Sequence, residues 1–193
     1  MAEFTPRDSK SRCAWCLKDD LYVAYHDNEW GNPVRDDRLL FEFLILESFQ
    51  AGLSWHTVLK KRENFRKAFT EFDVKSVAKF NAEKVELLMQ NEGIIRNRLK
   101  IEAAINNANR FIEVQKEFGS FSNYIWQFTE GKPIVNHPKI LSDIPATTPI
   151  SDAMSKDMGK RGFKFRGSTI CYAFMQAVGL VDDHLESCWR KKK

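Results

Sequence analysis

Lys160-Arg161-Gly162-Phe163-Lys164-Phe165-Arg166-Gly167-Ser168-Thr169 reads as two helices joined by a short hairpin. Ser151 can cap the helix that runs into it to about Arg161, and a second helix leaves at Ser168 and stops at Gly179. Gly162 and Gly167 bound the turn, and glycine permits positive φ and close backbone approach. Ser168 and Thr169 open a helix whose free N–H groups point outward, which attracts an anion. Lys160, Arg161, Lys164 and Arg166 surround that end with positive charge. A nucleic-acid phosphate is the natural ligand, because backbone contacts position a protein without reading sequence. Taken alone, the turn fits an ordinary connection with solvated basic residues better, since Gly-bounded helix turns are common.

Outward from the hairpin, the chain is helical almost throughout. Residues 37–50 hold a long apolar stretch with no breaker. Ser54 can cap a helix to about Phe69, Asp73 a short helix before Phe80, and Asn81 one that stops at Gly93. Residues 97–117 carry Ile101, Ala104, Ile105, Ala108 and Phe111 at helical spacing before Gly119. Residues 129–149 contain four prolines and read as a long connection. Arg190-Lys191-Lys192-Lys193 reads as a frayed tail. No segment alternates cleanly, so the expectation is an all-α fold in one domain, residues 1–193, with a helical core over about 37–180.

Composition removes other classes. No apolar run approaches the ~18 residues of a membrane span, and the polar N-terminus lacks the apolar core of a secretory signal. The expectation is a cytoplasmic protein with no membrane partner, and nothing in the sequence demands more than a monomer. A net charge of +4 is too small to name a polyanion partner by itself. Four cysteines fit a metal site, buried thiols or catalysis better than disulfides.

Cys13 and His26 lie near one end of the chain, and His184 and Cys188 near the other. Each pair could be half of a tetrahedral zinc site, closed and structural, that ties both ends to the fold. Spacing leaves a rival in which Cys13 and Cys16 form the first half, and a bland reading with no metal at all. Cys171, among Ile170, Phe174 and Met175, reads as a buried inert thiol.

Glu47 shares a helical face with Leu40, Phe43, Leu44 and Ala51, so its carboxylate aims at an apolar interior and must be paired, neutralised or functional. Glu42 faces Arg38 one turn back and reads as a solvated pair. Trp15, Tyr22, Tyr25, Trp30 and Trp55 surround Glu47 in the sequence. Aromatics with one buried acceptor can hold a flat base, or they can be core.

Five separated motifs, in order along the chain, carry a resemblance. Tyr22-x2-Tyr25-His26-Asp27-x-Glu29-Trp30-Gly31, then Leu46-Glu47 with Gln50-Ala51-Gly52-Leu53-Ser54-Trp55 and Leu59-Lys60-Lys61-Arg62, then Gly93-Ile94-Ile95-Arg96, resemble the type I 3-methyladenine DNA glycosylases. So do Lys160-Arg161-Gly162-Phe163-Lys164-Phe165 and Thr169-Ile170-Cys171-Tyr172-x-Phe174-Met175-Gln176. The resemblance runs from about Cys13 to Cys188.

It implies a bacterial, zinc-containing helix-hairpin-helix glycosylase with zinc-tethered N- and C-terminal regions. Such an enzyme hydrolyses the N-glycosidic bond of 3-methyladenine in double-stranded DNA during base-excision repair. It releases the free base, leaves an abasic site and lacks lyase activity. The family's single structural zinc falls on Cys13, His26, His184 and Cys188. Base recognition falls on Glu47, Tyr25 and Trp55, with Tyr22 at the pocket edge and any catalytic part in Glu47. Leu53, beside Gly52, falls on the wedge that enters the DNA. The hairpin at 161–168 brings Gly162, Lys164, Arg166, Gly167, Ser168 and Thr169 to the backbone. Asp182 and Asp183 follow the hairpin but receive no catalytic part. Two other classes remain: a non-catalytic DNA-binding module on the same zinc-bearing fold, and a zinc hydrolase whose metal activates water.

Overall fold

A computed structural model describes Pro6 and residues 8–191 of the chain. The leader reading rests on a stretch that falls mostly outside the described residues, as do Lys192 and Lys193 of the basic tail. Ten α-helices lie among the described residues: α1 (Asp20–Asn28), α2 (Asp37–Gln50), α3 (Trp55–Lys60), α4 (Arg62–Ala68), α5 (Val74–Val77), α6 (Ala82–Gln90), α7 (Arg98–Phe118), α8 (Phe121–Trp126), α9 (Pro149–Lys160) and α10 (Ser168–Ala177). Two short strands, β1 (Ile134–Val135) and β2 (Val181–Asp182), pair in parallel. They lay the proline-rich connection beside the chain end, and their brevity explains why no alternation marked them. None of the described helices is long and apolar enough to cross a membrane.

α2 is the centre. Asp36 caps it by accepting from Leu39 N, and nearly every following side chain is buried. Such a helix is packed on all sides, here against α7, α10, α3 and α8. Asp37 joins two of these neighbours by accepting from the backbone N–H groups of Phe121 and Ser122 and from the Gln115 side chain, each at 2.8 Å. Phe41 then meets Phe111 edge-to-face at 5.2 Å, and Phe111 stacks on Phe121 at 4.0 Å between ring centroids. Each buried phenylalanine contributes roughly 1.5–3 kcal/mol. α7 is capped by Asn97 and stops at Gly119, whose φ of 81° releases the chain from the helix.

The boundaries depart from expectation at three places. The helix begun at Ser54 breaks at Lys61, whose N–H bonds back three residues to Val58 at 2.9 Å and tightens the turn. α6 ends at Asn91, not Gly93, because the Asn91 side chain accepts from the Gly93 N–H. α9 is capped by Thr148, and Ser151 is the third helical residue that closes a reciprocal capping box with it. Helices α1 and α8 were not foreseen.

Two charge assignments also change. Glu42 is buried, not solvated, and holds Arg62 at 2.5 Å and Arg66 at 2.8 Å. Arg38 instead reaches the Glu71 backbone oxygen. Arg62, the last residue of the Leu59-Lys60-Lys61-Arg62 motif, is locked inside between Glu42 and Glu29.

Candidate functional site

The end of α2, the middle of α1 and the start of α3 meet around a cavity of about 240 Å³. Trp15, Tyr22, Tyr25, Trp30, Glu47, Gln50, Trp55 and Gln176 line it, with Leu141, Ile144 and Ala173. Tyr22 and Tyr25 share a face of α1 because they are three residues apart. Trp55 is the first residue of α3, set there by the Ser54 cap, and Phe43 backs its ring at 6.4 Å. The Tyr25 and Trp55 rings stand 5.3 Å apart.

Glu47 reaches this cavity from α2. The residue is 3% exposed, and its Oε2 is buried without a hydrogen-bond partner. Burial alone pushes its pKa up to about 8, so the carboxyl is mostly protonated at neutral pH in the free protein. Trp55 Nε1 is also buried without a partner. Burial pushes the Tyr22 hydroxyl up to about 12 and Tyr25 well above its usual range, so both stay neutral. The site is thus an aromatic slot with one acid and one indole N–H unsatisfied. A flat group with a donor edge would satisfy the acid.

His56 braces the slot from outside: its ring stacks on Tyr22 at 4.8 Å, nearly parallel, and its Nε2 lies 2.7 Å from Asp19 Oδ2. Asp19 in turn caps α1 through Tyr22 N.

Beyond the slot, Gly52 turns the chain at φ 79°, and Leu53 stands 43% exposed at the tip. A cleft of about 210 Å³ separates this loop from Thr169, Ile170 and Ala173 of α10. Across it lies the hairpin. Gly162 uses positive φ at 82°, but Gly167 does not; Phe165, at φ 49°, does so instead. Gly167 is the N-cap of α10, so no side chain accepts from its first N–H groups. Asn107 fixes the turn with two bonds to the Lys164 backbone, and Asn106 donates to Gly162 O at 2.8 Å.

The basic ring is thinner than the sequence implied. Arg161 is tied to Glu117 and Asp157, and Arg166 folds back on Gly159 and Ser155. The Ser168 hydroxyl donates to Asp152 at 2.5 Å. Lys160 and Lys164 pair with no carboxylate among the described residues.

Behind the aromatic wall the two chain ends converge. One ligand atom each from Cys13, His26 and Cys188 lies within 4.8 Å of the others, and all three residues are buried. The His184 ring is 5.0 Å from the His26 ring, and its Nε2 is buried without a partner. Asp27 holds His26 Nδ1 and Asp182 holds His184 Nδ1, each at 2.8 Å, so both rings turn Nε2 the other way; that of His26 meets Cys188 Sγ at 3.5 Å. Cys16 turns its thiol to the Cys13 carbonyl, 3.1 Å away. Cys171 is buried, and burial pushes its thiol up to about 12. Asp183 is saturated by Asn136, Tyr172 and Gln176, which makes it a structural anchor.

Sequence reasoning missed Leu141 and Ile144, which reach the slot from the proline-rich connection, and gave no role to Gln176, Asn106, Asn107 or His56. Only the polarity of the two asparagines on an otherwise apolar helical stripe could have flagged them.

A profile of the methyladenine glycosylase family matches residues 15–191. The DNA-3-methyladenine glycosylase 1 of Escherichia coli (strain K12) is 52% identical over 177 residues, covering 92% of this chain and 95% of that protein. The DNA-3-methyladenine glycosylase of Haemophilus influenzae is 51% identical over 178 residues, covering 92% and 96%. Among solved structures, a 3-methyladenine DNA glycosylase I superposes with a TM-score of 0.92 at 52% identity, covering 94% of this chain and 100% of that one. A tyrosine-to-phenylalanine variant of 3-methyladenine DNA glycosylase I, in complex with 3-methyladenine, superposes at 0.91 with 38% identity, covering 94% and 98%.

Proposed function

The chain belongs to the methyladenine glycosylase family, and from that premise we propose that it excises 3-methyladenine from DNA by hydrolysing the N-glycosidic bond. The observation that carries this is Glu47, a buried carboxyl with an unpartnered oxygen set between aromatic walls.

A methyl group on N3 leaves the base cationic while it is attached to the sugar. It departs readily, so little acid catalysis is needed, and cleavage passes through an oxocarbenium-like state. The protein must flip the base out of the duplex, hold it and admit water to the sugar. Leu53 at its exposed tip wedges into the gap, while the hairpin amides and Lys164 hold phosphate. In the slot the base meets the Trp55 ring, and a desolvated cation gains on the order of 1–2 kcal/mol there. Its charge draws the proton off Glu47, and the ionised carboxylate accepts from the exocyclic amine. Neutral adenine can stack and donate its amine but gains neither the cation–π attraction nor the pull of an ionised Glu47. No lysine lines the cavity among the described residues, which supports hydrolysis without a Schiff base and an abasic site as the product.

Cys13, His26, His184 and Cys188 would hold one zinc ion. Two thiols and two imidazoles, each ring oriented by a carboxylate, suit that ion. Held there, the ion would be structural, and the four residues would tie the two chain ends together behind Trp15 and Trp30. We place the enzyme in the cytoplasm, acting as a monomer in base-excision repair.

Incubation with methylated duplex DNA and identification of the released base tests the function. Release of 3-methyladenine is expected. Binding of DNA without base release would favour a non-catalytic module, and instant loss of activity on mild chelation without unfolding would favour a metal hydrolase.

A further inference from the structure

Lys100 belongs neither to the base slot nor to the hairpin, yet it touches both of their supports. It sits in the first turn of α7 and is 7% exposed. Its Nζ donates to the carbonyl oxygens of Phe49 at 2.9 Å and Ala51 at 2.6 Å. These are terminal carbonyls of α2, at the point where the chain leaves for Gly52 and Leu53. α2 has no glycine cap; Ala51 leaves it at φ −47° and ψ 115°.

No carboxylate pairs with Lys100 among the described residues, and burial lowers its pKa. A cation is kept there because it meets orphan carbonyls at the negative end of the α2 dipole. On its other side, Nζ stands 6.0 Å from the Phe165 ring of the hairpin. One helix therefore carries both anchors: Lys100 for the loop at 51–53, and Asn106 with Asn107 for the hairpin.

We infer that Lys100 is a positioning residue for DNA engagement, fixing the exit of α2 so that Leu53 is presented at a set height relative to the hairpin. This rests on the glycosylase reading above. Lys100 does not line the base cavity. Its loss therefore damages capture and opening of the duplex while leaving recognition of the free base intact.

The test compares the full chain with Lys100→Met, Lys100→Gln and Lys100→Arg. One readout is tryptophan fluorescence during titration with free 3-methyladenine. The other is single-turnover excision from methylated duplex DNA at enzyme concentrations below saturation. Loss of two charge-assisted bonds is expected to lower excision by Lys100→Met and Lys100→Gln about 10-fold or more. Their affinity for the free base is expected to stay near that of the wild type, and Lys100→Arg to recover most of the excision. Excision by Lys100→Met equal to wild type overturns the inference. So does an equal loss of both readouts in a folded variant, or no recovery with arginine. Should Lys100→Met fail to fold, Lys100→Gln decides by the same two readouts. A wild type that releases no base overturns the glycosylase reading and the role of Lys100 with it. An active wild type with an unimpaired methionine variant overturns the role of Lys100 alone.

Discussion

The rings of Tyr25 and Trp55 stand 5.3 Å apart with their planes 46° from parallel, so they form two walls of one slot and not a stacked pair. Phe43 lies nearly parallel behind Trp55, which leaves the other indole face for a ligand. Trp55→Ala removes one wall and uncovers Phe43, which backs the indole from α2. It is expected to weaken binding of free 3-methyladenine by about 1–3 kcal/mol, the usual value of base–aromatic stacking. Calorimetric titration measures this, and an unchanged affinity would mean that the ring does not stack on the base.

Glu47 makes the site pH-dependent in a defined direction. An acid whose folded-state pKa lies above its unfolded value keeps a proton that the unfolded chain has released. Its contribution to stability therefore falls as pH rises from 4.5 to about 8, and is constant above. Affinity for a cationic base moves the other way, rising over the same window as the carboxyl ionises. Tyr22 and Tyr25 stay neutral throughout. Glu47→Gln is expected to flatten both trends and to cut excision sharply in a folded protein. Urea midpoints and excision rates at about pH 5.5 and about pH 8.5 check it. Unaltered excision by the glutamine variant would remove Glu47 from recognition.

Much of this site was legible in the sequence because helical spacing is local. The apolar face holding Leu40, Phe43 and Leu44 places Glu47 inside by spacing alone, and the glycine-bounded turn places α9 and α10 together. What escaped depended on long-range partners. Glu42 and Arg38 are four residues apart on one helix, and the local rule pairs them, yet Arg62 and Arg66 of α4 claim the carboxylate. Leu141 and Ile144 enter the slot only because β1 pairs with β2 and pulls the connection across, and two-residue strands carry no periodic signal.

The Glu42 correction has a stability consequence. Arg62 bridges Glu42 at 2.5 Å and Glu29 at 2.6 Å from a nearly buried position, whereas the Arg38 side chain is 60% exposed. Arg62→Ala leaves Glu42 with Arg66 alone and Glu29 without its arginine, so it is expected to cost about 2–3 kcal/mol, less than the full loss of a lone buried pair. Arg38→Ala is expected to cost about 0.5 kcal/mol or less. Chemical denaturation of the two variants separates the cases, and equal small losses would show that the Arg62 pairs contribute little.

The metal assignment rests on two rings that show the same face. Asp27 and Asp182 each hold an imidazole Nδ1 at 2.8 Å, and the Nε2 of His184 is left buried with no partner, which is costly unless something binds it. Cys188→Ser removes one of the four proposed ligands, and one of the three that lie within 4.8 Å of one another. It is expected to lose bound zinc and to lower Tm by on the order of 10 °C, because metal binding free energy is folding free energy in such sites. The slot lies on the far side of Trp15 and Trp30, so free-base affinity below the new Tm is expected to change little. Elemental analysis beside thermal unfolding measures both. A wild-type protein that carries no zinc would end the assignment, and a serine variant that keeps its metal would move the ligand role from Cys188 to Cys16.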